Sequence, residues 1–408
     1  MKIIIVDAIS TGEDLAVELV RRGEDCIQVC SKADYFNESV AFTQSIVIED
    51  DLALATAIDE GHFDGVSHVI AGAEPGVTLA DTIADRLSLT CSNTLQTTDL
   101  RRNKYRAQEQ LARVGIRSIR QKLITQFKNE QVVDYDMDLP VIVKPLNSGA
   151  SDGVSLCLTN QEFQSSIQRN LGKTNLLGHV NSELLLQDYI EGVQYFVNTV
   201  SWQGEVYTTD VWKTYRRKVP GTMFIFEGMT LCDPESNLVK DLVEYNNRVL
   251  SSLGLEYGAA HNEIIVDSSG PILVESNARL MGASINKSAF SLALDRTQIE
   301  VLVDAYTNNG FSDNCRIYKL GQSLAEISLV FEKSGQIKEL LSEEYIRKLD
   351  SFHCESGIPS IGENVQQTRD TIGSAGFIYL LNHCPSKLNE DFHDILRLVK
   401  EDKIYKIS

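Results

Sequence analysis

The chain has 408 residues, a formal net charge of −19, 43% apolar residues and 23% charged residues. A chain of this length exceeds the size at which single hydrophobic cores usually divide, so two or three domains are expected. The negative charge argues against nucleic acid or an anionic membrane as the main partner, because both are bound through excess lysine and arginine.

No apolar run approaches the roughly 20 residues that cross a bilayer. The N-terminus MKIIIVDAIS enters a strand-like segment without the layout of a signal peptide. These features predict a cytoplasmic enzyme or binding protein.

Short β-branched runs alternate with amphipathic helical patterns in the first 95 residues. Strands are predicted at residues 2–6, 26–30, 45–48 and 66–70. This alternation is typical of a doubly wound parallel sheet. The loop at 71–76 lies where such sheets bind ligands, so Glu74 is a candidate for binding a substrate amine. Its alternative role is that of a carboxylate favoured at a helix start.

A basic helix is predicted at residues 99–114, and it contains Lys104. Further on, residues 140–158 read PVIVKPLNSGASDGVSLCL, an apolar strand that carries Lys144, a loop of small residues and a second strand. Backbone N–H groups of such a loop can close over phosphate oxygens, and the lysine adds a point charge. A plain hairpin turn would explain the glycines but not a lysine at the end of an apolar strand.

Two weaker signals follow in the middle of the chain. The strand at 183–190 passes into a linker whose free main-chain groups could pair with adenine. The cluster Tyr215-Arg216-Arg217-Lys218 could clamp a carboxylate or phosphate, because arginine binds these groups in bidentate fashion. A solvated hairpin end would explain the same cluster.

Residues 258–282 read GAAHNEIIVDSSGPILVESNARLMG and predict a β-hairpin. Since alternate residues of a strand share a face, His261 and Glu263 lie on one face of the first strand. By the same parity, Glu275, Asn277 and Arg279 share a face of the second. Oxygen ligands of this kind suit Mg²⁺, which takes one or two carboxylates and completes its shell with water and phosphates. The alternative is a solvated face with a surface ion pair.

Taken together, these segments resemble the ATP-grasp superfamily, and within it the L-amino-acid ligases that form dipeptides and related amides. The resemblance covers nearly the whole chain and depends on AGAEPGVTLAD, VIVKPLNSGASDGV, QDYIEGVQYFVNTV, HNEI and VESNARLMG. It implies an α/β (α+β) chain with the ATP-grasp fold. The implied units are an N-terminal domain at 1–95, a linker helix and lid at 96–190, and a C-terminal domain with the metal site and a terminal subdomain at 191–408.

The resemblance also implies ATP and Mg²⁺ as cofactors, with Mn²⁺ as a substitute for Mg²⁺. The implied nucleotide-binding residues are Lys104, Lys144, Ser148, Gly149, Ala150, Ser151, Gly153, Gln187, Asp188, Tyr189, Ile190 and Gln194. The implied metal ligands are Glu263, Glu275 and Asn277, and the implied catalytic residues are Arg279 and Lys144. The residues implied near the substrates are Glu74, Trp212, Arg216, Arg217, His261, Met281 and Gly282.

The sequence departs from the family at two nucleotide positions. The family usually has glutamate where this chain has Gln187 and Gln194. Glutamine still accepts hydrogen bonds, so altered nucleotide contacts are expected rather than none.

The implied reaction activates a carboxylate as an acyl phosphate and couples it to an amine, releasing ADP and phosphate. The alternatives are a carboxylase or formyltransferase type of ATP-grasp enzyme and a degenerate nucleotide-binding protein. The sequence names neither of the two small-molecule substrates. It also leaves the oligomeric state open, although homodimers are the commonest assembly.

Overall fold

The computed structural model describes residues 1–125, 127–128, 131–132, 137–146, 152–175, 178–218, 224–282, 285–312, 314–368 and 376–408. Within these ranges, none of the helices is both long enough and apolar enough to cross a membrane.

The first sheet has four parallel strands in the order β3-β2-β1-β4. The strands are β1 (Lys2–Val6), β2 (Asp25–Cys30), β3 (Gln44–Val47) and β4 (His68–Ala71), and the helices are α1 (Thr11–Arg21), α2 (Asp51–Asp59) and α3 (Val77–Arg86). Ile3 and Ile5 of β1 join one apolar cluster with α1, whereas Ile4 and Val6 join another with α2 and α3. Because helices cover both faces, the strands are continuous apolar runs. The predicted doubly wound parallel sheet is confirmed.

The helix predicted at 99–114 is two helices, α4 (Thr98–Arg102) and α5 (Lys104–Arg113). Asn103 between them is extended, and its side chain accepts hydrogen bonds from the backbone N–H groups of Tyr105 and Arg106. This is an N-cap, which the sequence signals only through the preference of asparagine for that position. The break makes Lys104 the first residue of a helix instead of a residue on its side.

A small antiparallel sheet has the order β5-β10-β8-β9. Its strands are β5 (Gln121–Ile124), β8 (Val141–Pro145), β9 (Ser155–Cys157) and β10 (Leu184–Asp188); β6 (Phe127–Lys128) and β7 (Gln131–Val132) pair with each other, and α6 (Asn160–Asn170) packs on β8 and β9. Phe163 of α6 is fully buried against the apolar side of this sheet. From β10 the chain passes through residues 189–192 straight into the large sheet.

The large sheet has eight strands in the order β15-β14-β11-β12-β13-β16-β20-β18, and its neighbouring strands are antiparallel. The strands are β11 (Val193–Trp202), β12 (Glu205–Arg217), β13 (Ile225–Leu231), β14 (Gly258–Asp267), β15 (Gly270–Asn277), β16 (Ser323–Ser328), β18 (Phe352–Ser356) and β20 (Phe377–Asn382). The helices that pack on it are α7 (Asn237–Ser252), α8 (Lys287–Ala293), α9 (Gln298–Thr307) and α11 (Pro385–Lys400). The remaining elements are α10 (Glu343–Arg347) and a three-stranded sheet of β17 (Gly335–Leu340), β19 (Asn364–Val365) and β21 (Tyr405–Ile407).

Glu326 is a carboxyl group buried in the large sheet, and no cationic side chain of the described residues is among the groups that affect its pKa. Glu326 of β16 lies between Met229 of β13 and Tyr379 of β20 and is 4% exposed. Burial raises the pKa of Glu326 to about 8, although the hydrogen bond from the Tyr379 hydroxyl opposes this shift. The folded protein therefore retains a proton on Glu326 at pH values where the unfolded chain has lost it.

The free energy of unfolding should accordingly fall as pH rises from about 5 to about 8, the window between the ordinary pKa of a glutamate and that of folded Glu326. Glu326→Gln retains an acceptor for Tyr379 and has no proton to lose. We expect the variant to gain roughly 3 kcal/mol of stability relative to the wild type across this window. Urea unfolding at several pH values measures the difference.

The matched control is Glu339→Gln, because the Glu339 side chain is 56% exposed. This substitution should leave the pH dependence of the unfolding free energy unchanged. Parallel stability curves for the wild type and Glu326→Gln would contradict the prediction.

Candidate active site

Four neighbouring strands bring a row of polar side chains onto one face of the large sheet. His261 lies opposite Asn277, and Glu263 lies opposite Glu275, across β14 and β15. A bulge follows Glu263, which shifts the register of the rest of the hairpin. Directly opposed residues share a sheet face, so the side-chain parity predicted for the hairpin is what the structure has.

Two lysines from separate segments approach these carboxylates. Lys104, at the first position of α5, has its Nζ 2.9 Å from Oε1 of Glu275. Lys144, near the end of β8 in the small sheet, is 6% exposed. Burial lowers the pKa of Lys144 to about 8, with Glu275 acting in the opposite direction and Lys104 lowering it further. The N-terminal helices, the small sheet and the large sheet thus meet at Glu275.

The two carboxylates differ in their electrostatic surroundings. Burial and the charge of Glu275 raise the pKa of Glu263, although Arg216 and Lys144 act against this. Burial also acts to raise the pKa of Glu275, but Lys104 and Lys144 outweigh it and hold the pKa below its ordinary value. Two carboxylates that repel each other are a favourable environment for a divalent cation.

The donor set fits Mg²⁺ with an incomplete protein shell. In the described part of the chain, no three side chains of the His, Cys, Asp or Glu type converge on one metal-sized position. Two carboxylates with the Asn277 amide would leave positions for water and phosphate oxygens, as Mg²⁺ sites usually do. The Asn277 Nδ2 donates to the His261 carbonyl oxygen at 3.3 Å, so its Oδ1 is the atom able to reach a cation.

Gln194 contacts this carboxylate pair. Its Nε2 donates to Oε2 of Glu263 at 2.6 Å, and its own Oε1 is buried with no hydrogen-bond partner among the described residues. A side chain with an unsatisfied buried acceptor can accept a hydrogen bond from a ligand hydroxyl.

Arg279 lies close enough to Glu275 to lower its pKa and also pairs with the N-terminal domain. Its Nε is 3.3 Å from Oε2 of Glu74, and its Nη1 donates to the Leu280 carbonyl oxygen. Glu74 begins a 3₁₀ turn, Glu74–Gly76, after β4 and also pairs with Arg102. Glu74 thus occupies the helix-start position and pairs with two arginines, Arg102 through Oε1 and Arg279 through Oε2.

The segment predicted to bind adenine follows β10. Gln187 is 2% exposed and donates to the Gln121 side chain, and Asp188 pairs with Arg120. Tyr189 donates its backbone N–H to the Pro140 carbonyl oxygen. The Ile190 main chain has no such partner among the residues that the structure describes, so its N–H and C=O groups are available to a base.

The predicted glycine-rich loop lies mostly outside the described residues, and two of the candidate glycines lie within them. Ser148, Gly149, Ala150 and Ser151 lie outside them. Gly153 has φ 69° and packs so tightly on Pro145 that a Cβ would lie 2.8 Å from the ring, which accounts for glycine there. Gly282 lies next to the Arg279 guanidinium, which a Cβ would approach to 3.3 Å.

The two adjacent arginines of β12 point to opposite faces. Arg216 lies close enough to Glu263 to affect its charge, and its guanidinium packs on Phe224. Arg217 pairs instead with Glu227 and Glu332, away from the polar row. Of these two arginines, Arg216 is therefore the one near the carboxylates.

Sequence reasoning missed two buried polar residues below the site. Asn198 of β11 and Asp210 of β12 lie opposite each other, and His261 bonds to Asn198. Trp212 is fully buried and donates to Asp210, while Met281 contacts Asn198 through its sulfur. The available signal was an amide side chain in β11 and a carboxylate in β12, since a polar group buried in a sheet costs free energy unless it is hydrogen-bonded.

A cavity of about 100 Å³ lies beside these residues. It is bounded by the large sheet, α1, α8 and α9, and its lining includes Asn198, Asp210, Met281, Phe290 and Ile299. Asn198, which lines the cavity, also bonds to His261 and so links the cavity to the polar row.

Comparison with known proteins identifies the domain. Residues 137–287 match the model of the ATP-grasp domain. The chain is 27% identical to dapdiamide A synthase of Enterobacter agglomerans over 411 residues, which cover 96% of this chain and 94% of that protein. It is 23% identical over 282 residues to alanine–anticapsin ligase of Bacillus subtilis (strain 168), covering 63% of this chain and 58% of that protein.

Among solved structures, the L-amino acid ligase from Bacillus licheniformis matches 100% of this chain and 98% of its own with a TM-score of 0.77, at 16% identity. An identity this low is informative about the fold alone. Residues 137–287 are an ATP-grasp domain, and the whole chain has the predicted ATP-grasp fold.

Proposed function

We propose that this protein is an ATP-dependent ligase that joins the carboxylate of an amino acid to the amine of another amino acid or of a small amine. The observation that supports this most is the meeting of Lys104 and Lys144 at the Glu263 and Glu275 pair. Lys144 and both glutamates lie within the ATP-grasp domain. Dapdiamide A synthase, similar over almost its full length, is a synthase by name. Small molecules are the proposed partners, and a homodimer is the expected assembly.

In the first step, a substrate carboxylate oxygen attacks the γ-phosphorus of ATP and the bond to the bridging oxygen breaks. The products are an acyl phosphate and ADP. Lys104 and Lys144 supply positive charge where negative charge spreads over the phosphate oxygens. Mg²⁺ held by Glu263, Glu275 and Asn277 would supply further neutralisation there. The adenine would pair with the Ile190 main chain, and Gln194 Oε1 would accept a ribose hydroxyl.

In the second step, the amine nitrogen attacks the acyl carbon and the carbon–oxygen bond to phosphate breaks. Phosphate leaves with the electron pair, and the amine loses its proton. Arg279, fixed by Glu74, would stabilise the negative charge that develops on the acyl oxygen. A preorganised donor of this kind is worth roughly 3 to 4 kcal/mol in the transition state.

Glu275→Gln should reduce ADP formation at least ~100-fold, because the variant loses one of two carboxylates for the cation and the partner of Lys104. Substrate-dependent ADP release over a range of Mg²⁺ concentrations measures the effect, and circular dichroism checks the fold. Glu256→Gln, at an exposed position before β14, is the control and should behave as the wild type. Near-normal turnover of Glu275→Gln would overturn the metal assignment.

Glu74→Gln tests how Arg279 is held. The amide retains the shape of the side chain but loses the charge that orients the guanidinium, so kcat should fall roughly tenfold with little change in the KM for ATP. Steady-state kinetics with ATP and amine varied separately distinguish the two parameters. Glu60→Gln, whose side chain is 60% exposed, is the control. An increase in the KM for the amine with unchanged kcat would instead assign Glu74 to amine binding.

The substrate class is tested by a matrix of amino-acid pairs scored by phosphate release, with mass spectrometry of the products. We expect release to require two components and the product to be an amide that lacks one water relative to the pair. Phosphate release that depends on bicarbonate or formate would favour the carboxylase or formyltransferase alternative. ATP binding without turnover on any substrate would indicate a degenerate site.

A further inference from the structure

His261 is the first member of a buried chain of hydrogen bonds that leads away from the metal ligands. Its Nδ1 is 2.8 Å from Asn198 Oδ1. The Asn198 amide nitrogen contacts Asp210 Oδ1 and, at 3.2 Å, the Met281 sulfur. All four residues are at least nine-tenths buried, so their polar groups depend on one another.

The direction of each bond follows from the far end of this chain. The Trp212 indole can only donate, and its Nε1 donates to Asp210 Oδ1. This oxygen is thus an acceptor whether or not the other oxygen of the carboxyl group carries a proton. The Asn198 group that faces it must be the NH₂ group.

The contact with Met281 independently gives the same orientation of the Asn198 amide. A thioether sulfur is only an acceptor, so it too requires the NH₂ group of Asn198 on that side. The Asn198 carbonyl oxygen then faces His261, and His261 Nδ1 must donate. A neutral imidazole with its proton on Nδ1 has a lone pair on Nε2.

The position of His261 in the sheet indicates which substrate this lone pair meets. Val193, the first residue after the adenine segment, pairs with Val266, and Asn198 pairs with His261. Along β14, Glu263 lies between these two pairs, so His261 is beyond Glu263, opposite Asn277, on the side away from the adenine segment. Carboxylates and ionised phosphate groups are acceptors only, whereas an amine offers N–H groups to a nitrogen lone pair.

We propose that Asp210 and Asn198 hold His261 in the Nδ1–H tautomer so that its Nε2 accepts a hydrogen bond from the substrate amine. Asp210 and Asn198 are thus positioning residues for amine recognition. The recognition of the amine rests on the proposed ligase function, but the tautomer does not. Within the described residues, Nε2 has no hydrogen-bond partner of its own, which agrees with a group that meets a ligand.

The tautomer is measured by ¹⁵N NMR of protein labelled at histidine, in neutral buffer without substrates. The His261 signals are assigned by their loss in His261→Gln. We expect a protonated Nδ1 and an unprotonated Nε2. A proton on Nε2, or on both nitrogens, overturns the proposal, and this readout needs no activity and no variant of the network.

A pair of variants separates hydrogen bonding from charge. Asp210→Asn retains an oxygen that can accept from both Trp212 and Asn198, so it should retain the Nδ1–H tautomer. Asp210→Leu removes the acceptor, releases the Asn198 amide to turn, and should populate the Nε2–H tautomer. Its KM for the amine should rise about tenfold with the KM for ATP unchanged, since one hydrogen bond is lost. Equal KM values for the amine in Asp210→Leu and the wild type would overturn the recognition role.

The last readout uses the wild-type protein with the amino acid that gives the largest phosphate release. Its addition should shift the Nε2 resonance of His261 and leave that of the exposed His62 unchanged. An unshifted Nε2 alongside active phosphate release refutes the amine contact while the ligase function stands. If no pair of amino acids releases phosphate, the ligase function fails and the amine contact fails with it.

Discussion

Two like charges facing each other are the constraint on which this site depends. Glu263 and Glu275 are directly opposed across β14 and β15, in a cleft that removes part of their hydration. Such a pair is unfavourable in isolation and requires positive charge from elsewhere. Lys104 comes from the helix after the N-terminal domain and Lys144 from the small sheet. The arrangement of three parts of the chain around one hairpin thus follows from one electrostatic requirement.

The hairpin and the parallel sheet could be predicted from sequence, because strand parity and apolar patterning are local properties. The alternation in HNEI and VESNARLMG was sufficient to predict that Glu263, Glu275 and Asn277 share a face. The parallel sheet also followed from local patterns, since its strands are short apolar runs between amphipathic helices. The roles of the individual site residues remain predictions.

Other features of the site could not be predicted, because they depend on pairing between distant segments or on a capping side chain. Arg216 and Arg217 are adjacent in sequence, and only the register of β12 with its neighbours and the bulge after Tyr215 show which one faces the carboxylates. The contact between Asn198 and Asp210 depends on the pairing of two strands, which local patterns do not show. Asn103 divides a continuous helical pattern by capping the second half, and helix periodicity carries no signal for that break.

The passage from the small sheet to the large one has a thermodynamic consequence. Only residues 189–192 separate β10 from β11, and Gly192 packs so closely on the Val266 carbonyl oxygen that a side chain would clash. Lys144 belongs to the first sheet and Glu275 to the second, so a nucleotide that contacts both adds its binding free energy to the association of the two sheets. By linkage, a hundredfold excess over the dissociation constant contributes about 2.7 kcal/mol. If a nucleotide binds in this way, the stability of the junction depends on the nucleotide concentration as well as on the packing of the chain.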